Sequence, residues 1–157
     1  MTKSNEKQQD LKFMIAALKE AEKAFKKNEV PIGAVAVKNG KIIARAHNLR
    51  ESLSDPTAHA EILCLRKAAK ILGEWRMIGV SLYCTLEPCA MCAGALIHSR
   101  TAELIFGAHD KKAGACGSVI DLTKEKLLNH HLKVSSGLMA EESRDILSKF
   151  FKRLRRK

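Results

Sequence analysis

A chain of 157 residues is long enough for one domain with its own core, and we expect residues 1–157 to form that single domain. With 46% hydrophobic and 29% charged residues it is typical of a globular protein rather than a disordered chain, and its longest apolar run, residues 90–97, is too short to span a bilayer. The formal net charge of +11 favours a polyanionic partner, because a basic surface raises both the association rate and the affinity for a polyanion.

Cysteine usage and the first residues indicate the compartment. Five cysteines are an odd number, which argues against a disulfide framework. Residues 1–10 are polar and carry no signal-peptide pattern. The sequence therefore predicts a cytoplasmic protein without a membrane segment, whose thiols are free to bind a metal.

Helical periodicity and turn signals divide the first half of the chain. Asn39-Gly40 between two apolar stretches is a strong hairpin signal, and Asp55-Pro56-Thr57 is typical of a helix start. Gly73 is a helix stop. The predicted elements are a helix over 8–27, strands over 32–38 and 41–47, and a helix from 55–57 to about Leu72.

The second half alternates strands with helices. Residues 80–86 are a continuous apolar run suited to a central strand. The other predicted elements are a helix from Pro88 to near His98, a strand over 103–106, a loop over 107–118, a short strand over 132–134 and a helix over 138–154. This alternation predicts an α/β fold with helices on both faces of the sheet.

Two motifs, His59-Ala60-Glu61 and Pro88-Cys89-Ala90-Met91-Cys92, combine metal-ligand residue types. Both motifs stand at predicted helix starts, and we expect the two helix starts to point at one spot beside the ends of the preceding strands. Cys89 and Cys92 share one helix face, where exposed backbone N–H groups favour the thiolate. One imidazole and two thiolates can hold Zn²⁺ and leave a fourth position for water.

Glu61 lies two residues after the histidine and is suited to carry protons rather than to bind metal. Two thiolates cancel the charge of Zn²⁺, so bound water is acidified less than it would be by three neutral histidines, and a proton carrier is needed. Glu61 can take a proton from the water and pass it to a ring nitrogen and then to a departing amine. Such a site would suit attack of a hydroxide on the amino-bearing carbon of a nucleobase, with loss of ammonia.

A structural zinc site is the alternative interpretation of the same cysteines. Such a site would need a fourth protein ligand, which Cys64, Cys84 or Cys116 could supply. Cys64 is predicted more than a helical turn beyond His59, and Cys84 is inside a predicted strand. The paired motifs therefore favour a catalytic site.

The last nine residues, 149–157, hold six basic residues and two phenylalanines. Cations beside aromatic rings suit contact with a nucleic acid backbone together with base stacking. The alternative is that Phe150 and Phe151 pack the last helix onto the sheet, and we expect at least one of them to do so.

Several blocks of sequence carry a resemblance to a known family; they are Glu29–Val35, Asp55–Glu61, Tyr83–Ser99, Phe106–Asp110, Gly114–Ser118 and Leu128–His130. With these blocks the chain resembles the bacterial tRNA adenosine deaminases, within the cytidine/deoxycytidylate deaminase superfamily, over roughly residues 8–155. The resemblance implies a three-layer α/β/α sandwich around a mixed five-stranded sheet, a homodimer and one Zn²⁺ per chain. It also implies hydrolysis of the wobble adenosine of a tRNA anticodon to inosine, with the base extruded into the zinc pocket.

Site residues follow from the resemblance by matching positions. His59, Cys89 and Cys92 match the zinc ligands, and Glu61 matches the proton shuttle. The positions that match substrate contacts are Asn48 and Ala60 for the target nucleotide, Val30, Pro31 and Leu86 for the pocket walls, Asp110 for the flanking nucleotide, and Asn129, Phe151 and Arg155 for the anticodon loop.

Two positions depart from the pattern of this family. His109 stands where arginine is common, which weakens an expected phosphate contact, although histidine can still form a hydrogen bond. Cys116 occupies a position that usually holds a small residue, and it is either harmless or an oxidation-sensitive thiol near the substrate.

Two other functions compete with this interpretation. A deaminase of free bases or nucleosides, such as guanine or cytidine, would share the zinc and the glutamate but would not need a basic end. A non-catalytic RNA-binding subunit with structural zinc would be expected to lack the glutamate, and Glu61 is present.

Overall fold

The computed structural model describes residues 2–157, which form one five-stranded sheet and four α-helices. The strands are β1 (Gly33–Lys38), β2 (Lys41–His47), β3 (Val80–Leu86), β4 (Glu103–Ala108) and β5 (Lys133–Ser136). The helices are α1 (Lys3–Lys26), α2 (Ala60–Leu72), α3 (Ala90–His98) and α4 (Ala140–Arg155), with a short 3₁₀ turn over Leu122–Lys124. Across residues 2–157, every helix is too short or too polar to cross a membrane.

The sheet is mixed, with the strand order β2-β1-β3-β4-β5. The hairpin strands β1 and β2 are antiparallel, and β1 is also antiparallel to β3. From β3 onward the strands are parallel, with Leu86 of β3 paired to Ala108 of β4. The carboxyl ends of β3 and β4 therefore lie side by side, which places the segments that follow them next to each other.

Side chains alternate between two cores, one on each face of the sheet. On one face Val35, Tyr83 and Ile105 pack under α1 and the start of α4. On the other face the strands present small side chains, such as Ala34 and Ala36, to α2 and α3. The molecule is thus the predicted three-layer α/β/α sandwich around a mixed five-stranded sheet.

Helix starts differ from the sequence prediction. Helix α2 begins at Ala60 rather than at residues 55–57, because the Asp55 carboxylate accepts hydrogen bonds from the amide (2.8 Å) and hydroxyl (2.7 Å) of Thr57 and closes a turn instead. Helix α3 begins at Ala90 rather than at Pro88. Both later starts put a predicted metal ligand at the N-cap position.

The remaining bounds differ by a few residues. Helix α1 begins five residues before the predicted start, β4 continues to Ala108, and β5 lies at 133–136 rather than 132–134. The turn over Leu122–Lys124 was not predicted. Strand β3 and strand β2 have the predicted bounds.

Candidate active site

His59 and Cys89 occupy equivalent places at the N-caps of α2 and α3. Both have extended backbone dihedrals, with φ −72° and ψ 153° for His59 and φ −74° and ψ 176° for Cys89. Their side chains therefore project ahead of the helices rather than along them. Cys92, three residues further, turns its sulfur to the same spot from the first turn of α3.

The three side chains converge as expected of metal ligands. His59 Nδ1 lies 3.6 Å from the Sγ atom of Cys89 and 3.6 Å from that of Cys92, and the ligand atoms all lie within 4.8 Å of one another. Within residues 2–157 this is the sole cluster of three or more histidine, cysteine or acidic side chains with such spacing. One imidazole and two sulfurs fit a zinc site with an open position.

The other cysteines do not complete a four-ligand structural site. Cys64, on α2, and Cys84, on β3, are fully buried in the core, and the Cys64 thiol donates to the Ala44 carbonyl at 3.7 Å. Cys116 is buried as well, and burial raises its pKa to about 12, which leaves it a protonated thiol.

The side chains of His59, Cys89 and Cys92 influence each other's protonation. The hydrogen bond from Cys92 and, to a smaller extent, the one with His59 lower the pKa of Cys89 to about 3. The hydrogen bond between the two cysteines also raises the pKa of Cys92. The hydrogen bond with Cys89 raises the pKa of His59. The cluster favours one thiolate, and a bound cation would displace the proton that the two sulfurs share.

Glu61 lies in the first turn of α2, buried beside these three side chains. Its side chain is 4% exposed, and its Oε1 atom has no hydrogen-bond partner among residues 2–157. Burial, which outweighs the hydrogen bond with Cys92, raises the pKa of Glu61. An unpartnered buried carboxyl oxygen is costly unless something binds to it, so the site is arranged for a ligand or a water at this atom.

Asn48 is held by its neighbours. Its side-chain amide donates to the Val30 carbonyl at 3.2 Å and accepts from the Arg50 amide at 3.2 Å, while its backbone N–H donates to the Ile32 carbonyl. Asn48 is buried, so both ends of its amide have fixed orientations. Because Val30 lines an adjacent cleft, Asn48 is hydrogen-bonded directly to one wall of that cleft.

A cleft of about 1120 Å³ brings together four of the predicted substrate residues, Val30, Leu86, Asp110 and Phe151. Three cations, Lys111, Lys112 and Arg144, share its lining. The remaining lining residues are Ile32, His109, Ser118 and Leu147. An open, partly apolar and basic groove of this kind suits an extended polyanion with exposed bases.

The other predicted substrate residues do not line this cleft. Pro31 is buried between two lining residues, and Ala60 is buried at the start of α2. Asn129 and Arg155 are exposed, on the loop before β5 and at the end of α4.

Two buried carboxylates near the site had no predicted role. Glu29 accepts from the amides of Glu51 and Ser52 and from the Ser52 hydroxyl (2.7 Å), and so fixes the loop that follows Asn48. Glu87 accepts from the loop after β4. Burial opposes charge on both, but the hydrogen bonds outweigh it, and the pKa of each lies below its ordinary value. Each is a charged residue within an otherwise apolar motif, and this is the one sequence signal that could have revealed them.

The last helix divides its aromatic residues between core and cleft. Phe150 is 2% exposed and packs edge-on against Phe25, whereas Phe151 is 43% exposed and lines the cleft. Arg153 stacks on the Phe25 ring at 4.1 Å and donates to the carbonyl of Phe25 and the side chain of Asn28, both at 3.0 Å. One of the six terminal basic residues is therefore structural.

A histidine and two cysteines at paired helix N-termini, with a buried glutamate beside them on this sheet, define a deaminase of the cytidine deaminase-like class. The model of the MafB19-like deaminase family matches residues 8–155. The tRNA-specific adenosine deaminase of Bacillus subtilis (strain 168) is 53% identical over 149 residues, which cover 95% of this chain and 92% of that protein. The chain therefore belongs to the tRNA-specific adenosine deaminase family.

Other comparisons agree on the family and the fold. The tRNA-specific adenosine deaminase of Aquifex aeolicus (strain VF5) is 49% identical over 91% of this chain and 94% of its own length. A structure from studies of A-to-I editing by tRNA deaminases at the wobble position superposes with a TM-score of 0.83 at 46% identity, covering 85% of this chain and 97% of that one. Guanine deaminase from Bacillus subtilis is more distant, with a TM-score of 0.59 and 35% identity over 69% of this chain and 66% of that one.

Proposed function

We propose that this protein hydrolyses the wobble adenosine of a tRNA anticodon to inosine and releases ammonia. The observation that carries the proposal is the convergence of His59, Cys89 and Cys92 beside the buried carboxyl of Glu61, whose Oε1 atom has no hydrogen-bond partner among residues 2–157. The basic cleft and the similarity to tRNA-specific adenosine deaminases support RNA as the substrate.

We propose Zn²⁺ as the cofactor, one per chain, held by these three ligands. The donor set fits, because a nitrogen and two sulfurs at this spacing favour zinc over oxygen-seeking cations. When bound, zinc would acidify a water molecule at its open position. Every other part of the reaction falls to side chains of the protein.

Glu61 moves the protons in this proposal. Oε1 accepts a proton from the attacking water, and burial, which raises the pKa of the carboxyl, increases its affinity for that proton. The same oxygen then delivers it to the ring nitrogen, takes the second proton from the hydroxyl that has been added to the carbon, and passes it to the departing amine. One carbon–oxygen bond forms, one carbon–nitrogen bond breaks, and water plus adenosine becomes inosine plus ammonia.

The surrounding residues hold the RNA. The fixed amide of Asn48 and the backbone of Ala60 meet the target nucleotide, while Val30, Pro31 and Leu86 enclose the base. Asp110 contacts the flanking nucleotide. The exposed ring of Phe151 offers a stacking surface, and Asn129 and Arg155 reach the rest of the anticodon loop.

A deaminase of free bases is the competing function, since guanine deaminase from Bacillus subtilis shares part of the fold. The test is to incubate the zinc-loaded protein with an adenosine-containing anticodon stem-loop, and separately with adenosine, cytidine and guanine. Inosine in the stem-loop supports the RNA function. Turnover of the free compounds alone contradicts it.

The exposed charges at the end of α4 provide a separate prediction. Replacement of Lys152, Arg155 and Arg156 by glutamine is expected to weaken stem-loop binding about tenfold at low salt. The slope of log Kd against log salt concentration is expected to fall by about two, since each phosphate contact on a single strand contributes about 0.7. Phe150 and Arg153 stay intact, so the helix remains packed.

Binding titrations at several salt concentrations measure this effect. The matched control replaces three exposed lysines of α1, Lys3, Lys7 and Lys12, by glutamine and removes the same charge. An unchanged slope, or an equal loss in the control, would mean that the end of α4 is only a solvated surface.

We further propose a cytoplasmic homodimer of this single domain, because its substrate is tRNA and because α2 and α3 share an exposed apolar surface. That surface surrounds a depression of about 510 Å³, lined by apolar residues such as Ile62, Ala69 and Ala95 and, at its margins, by Arg66, His98 and Arg100. Trp75, 54% exposed, lies at its edge, and Met91 extends the same face of α3.

Introducing a charge on this surface is expected to convert the dimer to monomers. Met91→Glu places a carboxylate in the proposed interface, and burying an unpaired charge there costs more than a small interface contributes. Analytical ultracentrifugation should show twice the chain mass for the wild type and the chain mass for the variant. Leu127→Glu, at a residue 94% exposed elsewhere, is the control and should remain dimeric. A monomeric wild type contradicts the homodimer, and a dimeric Met91→Glu contradicts this interface.

A further inference from the structure

Glu87 is a buried side chain that the proposed chemistry does not use. It is the last residue before Pro88-Cys89, and its side chain is fully buried. Its Oε1 atom accepts from the His109 ring (3.1 Å), the Asp110 amide (3.2 Å) and the Ser118 hydroxyl. Its Oε2 atom accepts from the amides of Cys116 and Ser118, both at 3.1 Å. One carboxylate thus serves five donors from a single loop.

That loop, residues 109–118, is also joined to the segment that carries the first cysteine ligand. The Ala115 amide donates to the Pro88 carbonyl at 2.8 Å, and Cys89 forms a β-bridge with Gly114. Gly114 has to be glycine, because a Cβ there would overlap the Glu87 carboxylate. The loop and the ligand segment are packed as one unit around Glu87.

The opposite side of the loop faces the cleft. His109, Asp110, Lys111, Lys112 and Ser118 form one of its walls. No strand or helix of its own supports this wall, since the residues lie between β4 and the turn at Leu122–Lys124. Its shape depends on a few backbone hydrogen bonds, such as Gly114 to Asp110, and on five side-chain to backbone hydrogen bonds, three of which end on Glu87.

We propose that Glu87 is a positioning residue that fixes residues 109–118 as a rigid wall of the RNA cleft, in register with Cys89. The identity of the ligand rests on the proposed function. A carboxylate is needed because both of its oxygens accept. Glutamine has the same shape but only one accepting oxygen, and its amide hydrogens would face two donors of the loop.

Glu87→Gln tests the proposal, with Glu103→Gln as the control. Glu103 lies on the same sheet and binds Lys133 at 3.2 Å, away from the loop. Hydrogen exchange of the Asp110, Cys116 and Ser118 amides is expected to be faster by about tenfold or more in Glu87→Gln. Amides of β3 should exchange as in the wild type, and Glu103→Gln should leave the loop unchanged.

Kinetics separate a positioning role from general loss of structure. KM for the stem-loop is expected to rise about tenfold, with kcat within about threefold, because contacts shared by bound substrate and transition state change KM alone. Zinc content should remain unchanged. If Glu87→Gln does not fold, Ser118→Ala removes one of the five donors, and its loop exchange and KM should rise in the same directions.

Three results would overturn the proposal. Unchanged exchange at Cys116 and Ser118 would show that Glu87 does not hold the loop. Faster exchange with unchanged KM and RNA affinity would show that the order of this loop does not contribute to RNA binding. Loss of zinc together with a fall in kcat alone would show that Glu87 supports the segment that carries Cys89 rather than the wall of the cleft. If the wild type fails to deaminate RNA, the proposed function fails, while the exchange measurement still decides the role of Glu87 in the loop.

Discussion

Glu61→Gln is expected to lower kcat about a thousandfold or more while leaving bound zinc and RNA affinity close to wild type. Glutamine keeps the size and burial of the side chain but cannot take a proton from the attacking water. Because Glu61 is not one of the converging ligands, the metal site should form normally. The expected phenotype is a folded, zinc-loaded, RNA-binding protein without activity.

Single-turnover assays with saturating stem-loop measure this effect, and metal analysis and RNA titration accompany them. The matched control is Glu74→Gln, which removes an exposed carboxylate between α2 and β3. It should have wild-type kcat. Activity of Glu61→Gln within tenfold of wild type would remove the proton-transfer role from Glu61, whatever the metal content.

The second large effect is expected from the metal ligands. Cys89→Ser should reduce bound zinc from about one per chain to nearly none and abolish deamination, since a neutral hydroxyl is a poor zinc ligand. A chelator should have the same effect on the wild type, and added zinc should restore activity. Stability should fall as well, because metal binding contributes to folding.

Cys64→Ser is the control for thiol loss. Cys64 is buried and donates to the Ala44 carbonyl, a bond that a serine hydroxyl can also form. Its zinc content and activity should match the wild type. Zinc retained at full occupancy in Cys89→Ser would contradict the three-ligand site, because another side chain would then have to bind the metal.

Local spacing was sufficient to predict the centre of the site. A Cys-x-x-Cys pair at a helix start and a histidine at another leave few ways to place the ligands, and His59, Cys89 and Cys92 converge as predicted. Strand β3 was predicted with its observed bounds because its mainly apolar run is flanked by Gly79 on one side and Glu87-Pro88 on the other. The metal-binding role of His59, Cys89 and Cys92, the role of Glu61 and the roles of the substrate residues remain predictions.

Helix starts were harder to predict because the same side chain can either cap a helix or close a turn. Asp55 before a proline is typical of an N-cap, but its carboxylate instead closes a turn with Thr57. The helix begins at Ala60, and His59 becomes the N-cap. Sequence alone does not say which backbone amide a short acidic side chain will meet.

Long-range hydrogen bonds could not be predicted from the sequence for a related reason. Glu29 and Glu87 accept mainly from backbone amides more than 20 residues away along the chain. Any residue type can supply such an amide, so no pattern of side chains marks the partner. The stacking of Arg153 on Phe25 could not be predicted from the sequence either, because it depends on how α4 crosses α1.

The most direct test of the account is product analysis in water enriched in a heavy oxygen isotope. Zinc-loaded protein is incubated with an anticodon stem-loop, and the wobble nucleoside and released ammonia are quantified. We expect inosine that carries the solvent oxygen, one ammonia per inosine, and neither product with Glu61→Gln. An unchanged wobble adenosine with fully metal-loaded wild-type protein would contradict the assignment.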